Sequence, residues 1–301
     1  MKILMPIDGS NFSESALNFI ASRTALIKQQ PDITLVNVQH PVSQRVASAA
    51  GSEMVLHYHA AASTKVLKPA RTLLKRVGLE VETTALIGGP GAEVSRVAVE
   101  GAMDLIIMGS HGHTGLKNLL FGSVTQAVLA SCTTPVLVLR DGAVPTKDSL
   151  KVGIAVDGSA YGVAVVRYVL KHHVLFGEKP VFTLIHVVPD LLRLVMPGFA
   201  GGEAVRGIDP EQLANMRNAA FERAVAPARM LLKAAGFTVA EMQLGDNNPG
   251  DAIAAYAKKA KLDVVAMGSH GEGKFKSAVL GSTATRVAAK CQTALLFIRE
   301  K

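Results

Sequence analysis

The chain is one unit written twice. GSHGHTGLKNLLFGSVTQAVL runs from Gly109 to Leu129, and GSHGEGKFKSAVLGSTATRVA from Gly268 to Ala288. MKILMPIDGS at the start returns as LKVGIAVDGS from Leu150, so Asp8 maps to Asp157 at an offset of 149. The offset grows to 158 by Pro69 and Pro227, and to 159 by Gly91 and Gly250. Matches in one order with two offset steps make a tandem repeat. Whatever the fold is, about 150 residues must complete one copy of it. The expected units are 1–143 and 150–301, joined across the Gly- and Pro-punctuated GAVPTKDS, Gly142 to Ser149. The extra residues of the second copy fall mostly in DLLRLVMPGFAGGEAVRGIDPEQ, after its second strand.

Within a copy, apolar strands alternate with amphipathic helices. KILMPI predicts a strand, and SESALNFIASRTALIK one helix over 13–28 with Ser13 as N-cap. ITLVNV is a β-branched strand. A long helix follows over about 53–77, then LEVETTAL as a strand, GAEVSRVAVEG as a short helix, and DLIIMGS as a fully apolar strand. A helix over 119–131 and the strand PVLVLR complete the copy. This alternation implies right-handed crossovers and a parallel sheet covered on both faces.

Composition removes several function classes. Lys and Arg number 32 against 24 Asp and Glu, but the excess is spread and nowhere dense, so a nucleic-acid face is not expected. Trp is absent and aromatics are 5%, so stacking of bases on aromatic platforms is not a prominent option. Cys132 and Cys291 occupy equivalent places in the two copies and are expected as buried free thiols in a reducing compartment. No apolar run reaches a membrane span, and no secretory pattern opens the chain, so a cytoplasmic protein is expected. Neither a phosphate loop ending in Gly-Lys-Ser/Thr nor a Gly-x-Gly-x-x-Gly follows the first strand.

The glycine stretches carry the chemistry. Each begins at the carboxyl end of a strand, where doubly wound sheets bind ligands, and runs into a helix. Glycine permits close approach of backbone N–H groups to an anion, and a helix N-terminus adds orphan donors and a favourable dipole. The spacing Gly, two residues, Gly, nine residues, Gly-Ser is identical in both copies. Asp8 and Asp157, at the end of the first strand of each copy, could bind a ribose or a cation, or simply form an Asx turn before Gly-Ser. His111 and His270 lie inside the stretches, as phosphate contacts or exposed loop histidines. His57 and His59 read as a solvated helix face rather than a metal pair. His172 and His173 read as favourable charges at a helix C-terminus.

This pattern, preceded by an apolar strand ending in Met and paired with a first strand ending in Asp, resembles the universal stress protein family over nearly the whole chain. The resemblance implies an α/β fold of two tandem doubly wound parallel five-stranded sheets, Rossmann-like and adenine nucleotide alpha-hydrolase-like. It implies ATP as ligand, with or without Mg2+, in a stress-response sensor. In the first copy Pro6, Asp8, Val38 and Met108 would surround adenosine, and Gly109, Gly112, Gly122, Ser123 and Val124 the ribose and phosphates. In the second copy the matching positions are Asp157, Val187, Met267, Gly268, Gly271, Gly281, Ser282 and Thr283. Ala155 replaces Pro6, and Glu272 with Lys274 and Lys276 enters the loop, so ATP is expected more firmly in the first copy. The resemblance also implies that the final strands, PVLVL and ALLFI, meet antiparallel, which a tandem chain can do internally as a pseudo-dimer; a further homodimer is left open. Only Lys117 stands near the phosphates of the first site, with no arginine clamp, so slow hydrolysis or none is expected. A nucleotide hydrolase or transferase, and an interaction module with vestigial loops, are the alternatives. No membrane or nucleic-acid partner is expected.

Overall fold

The computed structural model describes residues 1–112, 120–140, 144–189, 209–246, 248–269 and 280–299. Among these, the first half contains β1 (Lys2–Pro6), α1 (Asn11–Ala21), α2 (Thr24–Lys28), β2 (Asp32–Gln39), α3 (Gln44–Ala50) and α4 (Ser52–Arg76). It continues with β3 (Val81–Ile87), α5 (Pro90–Glu100), β4 (Leu105–Gly109), α6 (Ser123–Ser131) and β5 (Val136–Leu139). The second half repeats the plan with β6 (Lys151–Ala155), α7 (Ala160–Lys171), a 3-10 turn (His173–Phe176), β7 (Val181–Val188) and α8 (Pro210–Ala234). It ends with β8 (Val239–Gly245), α9 (Pro249–Ala260), β9 (Val264–Gly268), α10 (Ser282–Lys290) and β10 (Ala294–Ile298).

The strands form one ten-stranded sheet in the order β3-β2-β1-β4-β5-β10-β9-β6-β7-β8. Pairing within each half is parallel, and the two five-stranded halves join through antiparallel β5 and β10, with Leu137 opposite Leu296. The expected contact between final strands is therefore made inside one chain. Alternation along the strands divides the core between the two faces. Ile3 and Met5 point to the face covered by α1, α4, α7 and α8, and Leu4 to the face covered by α5, α6, α9 and α10. Each core runs from one half into the other, so the halves share their apolar interior.

Several local expectations are corrected. The first helix is broken at Ser22-Arg23 because Arg23 turns inward: it is 0% exposed and donates to the backbone carbonyls of Pro145 and Lys147. The linker is thereby tied to the first half. Ser10, not Ser13, caps α1, its hydroxyl accepting from the Ser13 N–H at 3.3 Å. The helix expected from 119 begins at Ser123. His59 does not share the solvated face of His57: it is buried, with neither ring nitrogen hydrogen-bonded. His172 is also buried, and burial lowers its pKa to about 4, so it brings no charge to the C-terminus of α7 at neutral pH. Cys132 and Cys291 are free and buried, as expected.

Candidate functional site

The strand order reverses at β1, whose neighbours are β2 on one side and β4 on the other. Beyond the carboxyl ends of these strands a cleft of about 1010 Å³ opens. Its walls include all nine first-copy positions named from the sequence: Pro6, Asp8, Val38, Met108, Gly109, Gly112, Gly122, Ser123 and Val124. Val36, Val38, Val94, Met108 and Val124 supply an apolar portion. His111 also lines the cleft, with its Nδ1 3.1 Å from the Ser110 hydroxyl.

Asp8 is fixed by its own turn. The Ser10 N–H and hydroxyl both donate to Asp8 Oδ1, at 2.9 and 2.6 Å. Between them Gly9 takes φ +82°, a conformation that suits glycine. The turn is braced from the next strand by Asn37, whose Nδ2 donates to the Ile7 carbonyl at 2.6 Å. Ser63 of α4 and Gln39 of β2 donate in turn to Asn37 Oδ1, at 2.9 and 2.7 Å. Sequence reading missed this bracket. Its signal was Asn37 itself, the amide in the β-branched run ITLVNV.

The backbone of Val38 faces the cleft by register. The Val36 carbonyl accepts from the Ile7 N–H at 2.8 Å, so Val36 directs its peptide groups toward β1. Two residues on, Val38 points its N–H and C=O the same way, past the end of β1. A donor and an acceptor thus stand side by side above an apolar floor.

The opposite wall is the start of α6. Gly122 is its N-cap and brings no side chain to cap it. Among the described residues the N–H groups of its first turn have no capping side chain, and they stand at the positive end of the helix dipole. Close packing explains the glycines that lead there. A Cβ on Gly109 would fall 2.5 Å from Phe12 Cβ and 2.8 Å from the Phe12 carbonyl oxygen. One on Gly112 would fall 2.7 Å from Asp8 Oδ2. On the α4 side, Lys65 lines the cleft as a cation that sequence reading did not assign.

The second half reproduces this frame with substitutions. Asp157 Oδ1 accepts from the Ser159 N–H at 3.0 Å and its hydroxyl at 2.5 Å. The Ile185 carbonyl accepts from the Val156 N–H at 2.9 Å, so Val187 repeats the open backbone of Val38. Met267 and Gly268 end β9, and Gly281 caps α10 without a side-chain bond, placing Ser282 and Thr283 in its first turn. His186 takes the place of Asn37, its Nδ1 2.8 Å from the Val156 carbonyl oxygen. Phe221 stands where the first half has Ser63, and Gly162 where it has Ser13. Gly271, His270, Glu272, Lys274 and Lys276, like Lys117 and Gly142, lie outside the described residues.

Among the described residues no group of three or more His, Cys, Asp or Glu could hold a metal ion, and no helix is long and apolar enough to cross a membrane.

The family model described as the universal stress protein family matches residues 1–140 and again 150–299. A universal stress protein of Methanocaldococcus jannaschii is 30% identical over 152 residues, 46% of this chain and 94% of that one. A universal stress protein of Mycolicibacterium smegmatis is 26% identical over 310 residues, 99% of this chain and 97% of that one. The crystal structure of a universal stress protein from Archaeoglobus fulgidus superposes with a TM-score of 0.69 at 20% identity, covering 100% of this chain and 98% of that chain.

Proposed function

The chain belongs to the universal stress protein family, and from that premise we propose that it binds ATP in the first-half cleft as a stress-response sensor whose occupancy sets its conformation or choice of partner. Residues 1–143 and 150–301 are its two units, each with a nucleotide cleft. The observation that carries the reading is the pairing of two walls across one cavity: the outward backbone of Val38 and the glycine-capped start of α6. The N–H and C=O of Val38 match the donor and acceptor on the edge of adenine, with Val36, Val94 and Met108 against the ring. The first-turn N–H groups of α6, with the Ser123 hydroxyl, suit phosphate oxygens. Asp8, held by Ser10, presents its carboxylate toward Gly112, between the two walls, where a ribose would lie. The volume exceeds what one nucleotide needs and falls at the upper end of small-molecule sites.

Catalysis has less support. Hydrolysis needs a positioned base and a charge clamp on the transferred phosphoryl group. The described cleft lining offers Asp8, already accepting twice from Ser10, with Glu14, His40 and His111 as further titratable groups, and Lys65 as a cation on the α4 side, but no arginine. With no carboxylate cluster among the described residues, any Mg2+ would be held chiefly by phosphate oxygens and water.

The test is extraction of the purified full chain, identification of released nucleotide with its stoichiometry, and calorimetric titration of ATP into the stripped protein. ATP at one or two per chain, with a melting shift of several degrees at saturating ligand and no steady phosphate release, is the expected result. Steady turnover would move the reading to a hydrolase. Neither binding nor a thermal shift would leave an interaction module.

A further inference from the structure

Each half ends its last strand on an arginine that reaches into the other half. Arg140 follows β5 and Arg299 follows β10, at equivalent places in the repeat. Arg299 crosses to the first half, where Nη2 donates to the Leu129 carbonyl at 2.6 Å. Its Nη1 lies 3.4 and 3.3 Å from the carbonyl oxygens of Ala130 and Cys132. All three carbonyls belong to the C-terminal end of α6. Arg140 crosses the opposite way and donates to the Ala288 carbonyl in α10. It also donates at 3.1 Å to the carbonyl of Leu120, two residues before Gly122. Its guanidinium lies 4.7 Å from the ring centre of Phe121, and that ring meets Phe297 of β10 edge-on at 6.3 Å.

A helix ends with carbonyls that have no intrahelical partner, and a cation there satisfies them and complements the dipole. α6 depends on this more than most helices. It has nine residues, no basic residue in its last turn and a glycine at its N-cap. Isolated helices shorter than about 12 residues are marginal in water, so its ends decide its order. Nine residues span only about 13 Å, and what holds the far end also holds the N–H groups that face the cleft. α10 carries Lys290 in its last turn and receives one bond from Arg140. The first cleft therefore leans harder on the other half than the second does.

We propose that Arg299, from the second half, is a positioning residue for the first cleft, fixing the anion-facing start of α6 from its opposite end, and that Arg140 does the same, more weakly, for α10. The consequence for ligand binding rests on the nucleotide reading above. By linkage, ATP in the first cleft tightens the Arg299 crossing as much as that crossing tightens ATP.

The test is hydrogen exchange followed by mass spectrometry on the full chain, wild type against Arg299→Gln and Arg140→Gln, with and without ATP. In Arg299→Gln, exchange is expected to rise in residues 123–132, with 282–291 unchanged, and ATP protection of the first cleft to need about fivefold more nucleotide, the low end of ordinary coupling between sites. In Arg140→Gln the rise in 282–291 is smaller, and the lost bond to Leu120 confines any rise in the first half to the residues around Gly122, leaving the C-terminal end of α6 unchanged. Arg299→Lys keeps the charge with a less extended donor set and should stand between wild type and Arg299→Gln; if Arg299→Gln unfolds, it decides alone. Unchanged exchange in α6, or raised exchange with unchanged ATP affinity, overturns the proposal. If wild type shows no ATP protection, the nucleotide reading falls, and the α6 exchange still decides whether Arg299 holds the helix.

Discussion

Ser10 donates twice to a single oxygen of Asp8, from its backbone N–H and from its hydroxyl, while the same hydroxyl accepts from the Ser13 N–H at the start of α1. One carboxylate thus shapes the turn, orders the helix cap and faces the cleft. The structural roles and the ligand-facing one separate by substitution. Asp8→Asn keeps an acceptor for Ser10 and should melt within a degree or two of wild type. Asp8→Ala loses both bonds and should lower the unfolding free energy by about 1 kcal/mol in urea titrations. If the charge contacts the nucleotide, calorimetry should show weaker ATP binding in both variants. Asn at full affinity would confine Asp8 to the turn.

Gly109 and Gly112 should respond differently to the same methyl group. At Gly109 a Cβ meets the Phe12 backbone, which cannot move cheaply, so Gly109→Ala should cost about 1–3 kcal/mol of stability. At Gly112 the obstacle is the end of a side chain, Asp8 Oδ2. Gly112→Ala should fold with near-normal stability while displacing the carboxylate, and its loss should appear in ATP titration rather than in urea unfolding.

Arg23 anchors the linker. Its guanidinium lies 5.1 Å from the ring centre of Phe19, is fully buried and donates to the carbonyls of Pro145 and Lys147. Arg23→Met preserves bulk but strands those carbonyls. We expect a loss of about 2 kcal/mol and faster cleavage between Val144 and Ser149 in limited proteolysis. An unchanged digestion pattern would mean that the linker is held by its other contacts, Thr24 to Asp148 and Lys147 to Asp263.

His172 sets a pH dependence. Burial lowers its folded pKa to about 4, against about 6.5 when unfolded. The groups that face it act in both directions: Asp104 raises the value, and Lys171 and the Met1 amino group lower it. The Tyr168 ring packs 4.7 Å away, with its hydroxyl donating to the Asp104 carbonyl. Because the pKa is lower in the folded state, unfolding takes up a proton. Its contribution is complete above about pH 6.5 and is lost as the pH falls toward about 4. The wild-type melting temperature should drop between pH 7 and 5, and His172→Gln should flatten that drop. Asp104, whose pKa is lowered chiefly by the Lys2 N–H against the opposing effect of burial, titrates below this window.

The candidate site was legible because its positions are fixed by short-range constraints. Gly122-Ser123 must lie at the start or in the first turn of a helix, Asp8 must follow a strand, and Val38 follows from strand register; each reads from a few neighbouring residues, although the exact start of the helix did not. Asn37 with Ser63, and Lys65 at the cleft wall, were not legible in the same way. Their partners are set by how α4 lies over β2, and helical periodicity gives a face without giving its rotation to one residue. The error at His59 has the same origin: neighbouring residues on a helix face different ways, and the pattern around His57 did not say which of the two histidines turned inward.

By itself the sequence determined that this protein is a duplicated α/β unit and the order in which strands and helices alternate in each copy, because repeat offsets and local backbone chemistry survive without coordinates. Only the tertiary structure decided that the two sheets become one through Leu137 and Leu296, that Arg23 breaks the first helix to hold the linker, and that Arg299 finishes a helix 170 residues away from it in the chain. Those contacts join groups whose separation along the chain carries no local signal, and burial with hydrogen bonding in the folded molecule selects them.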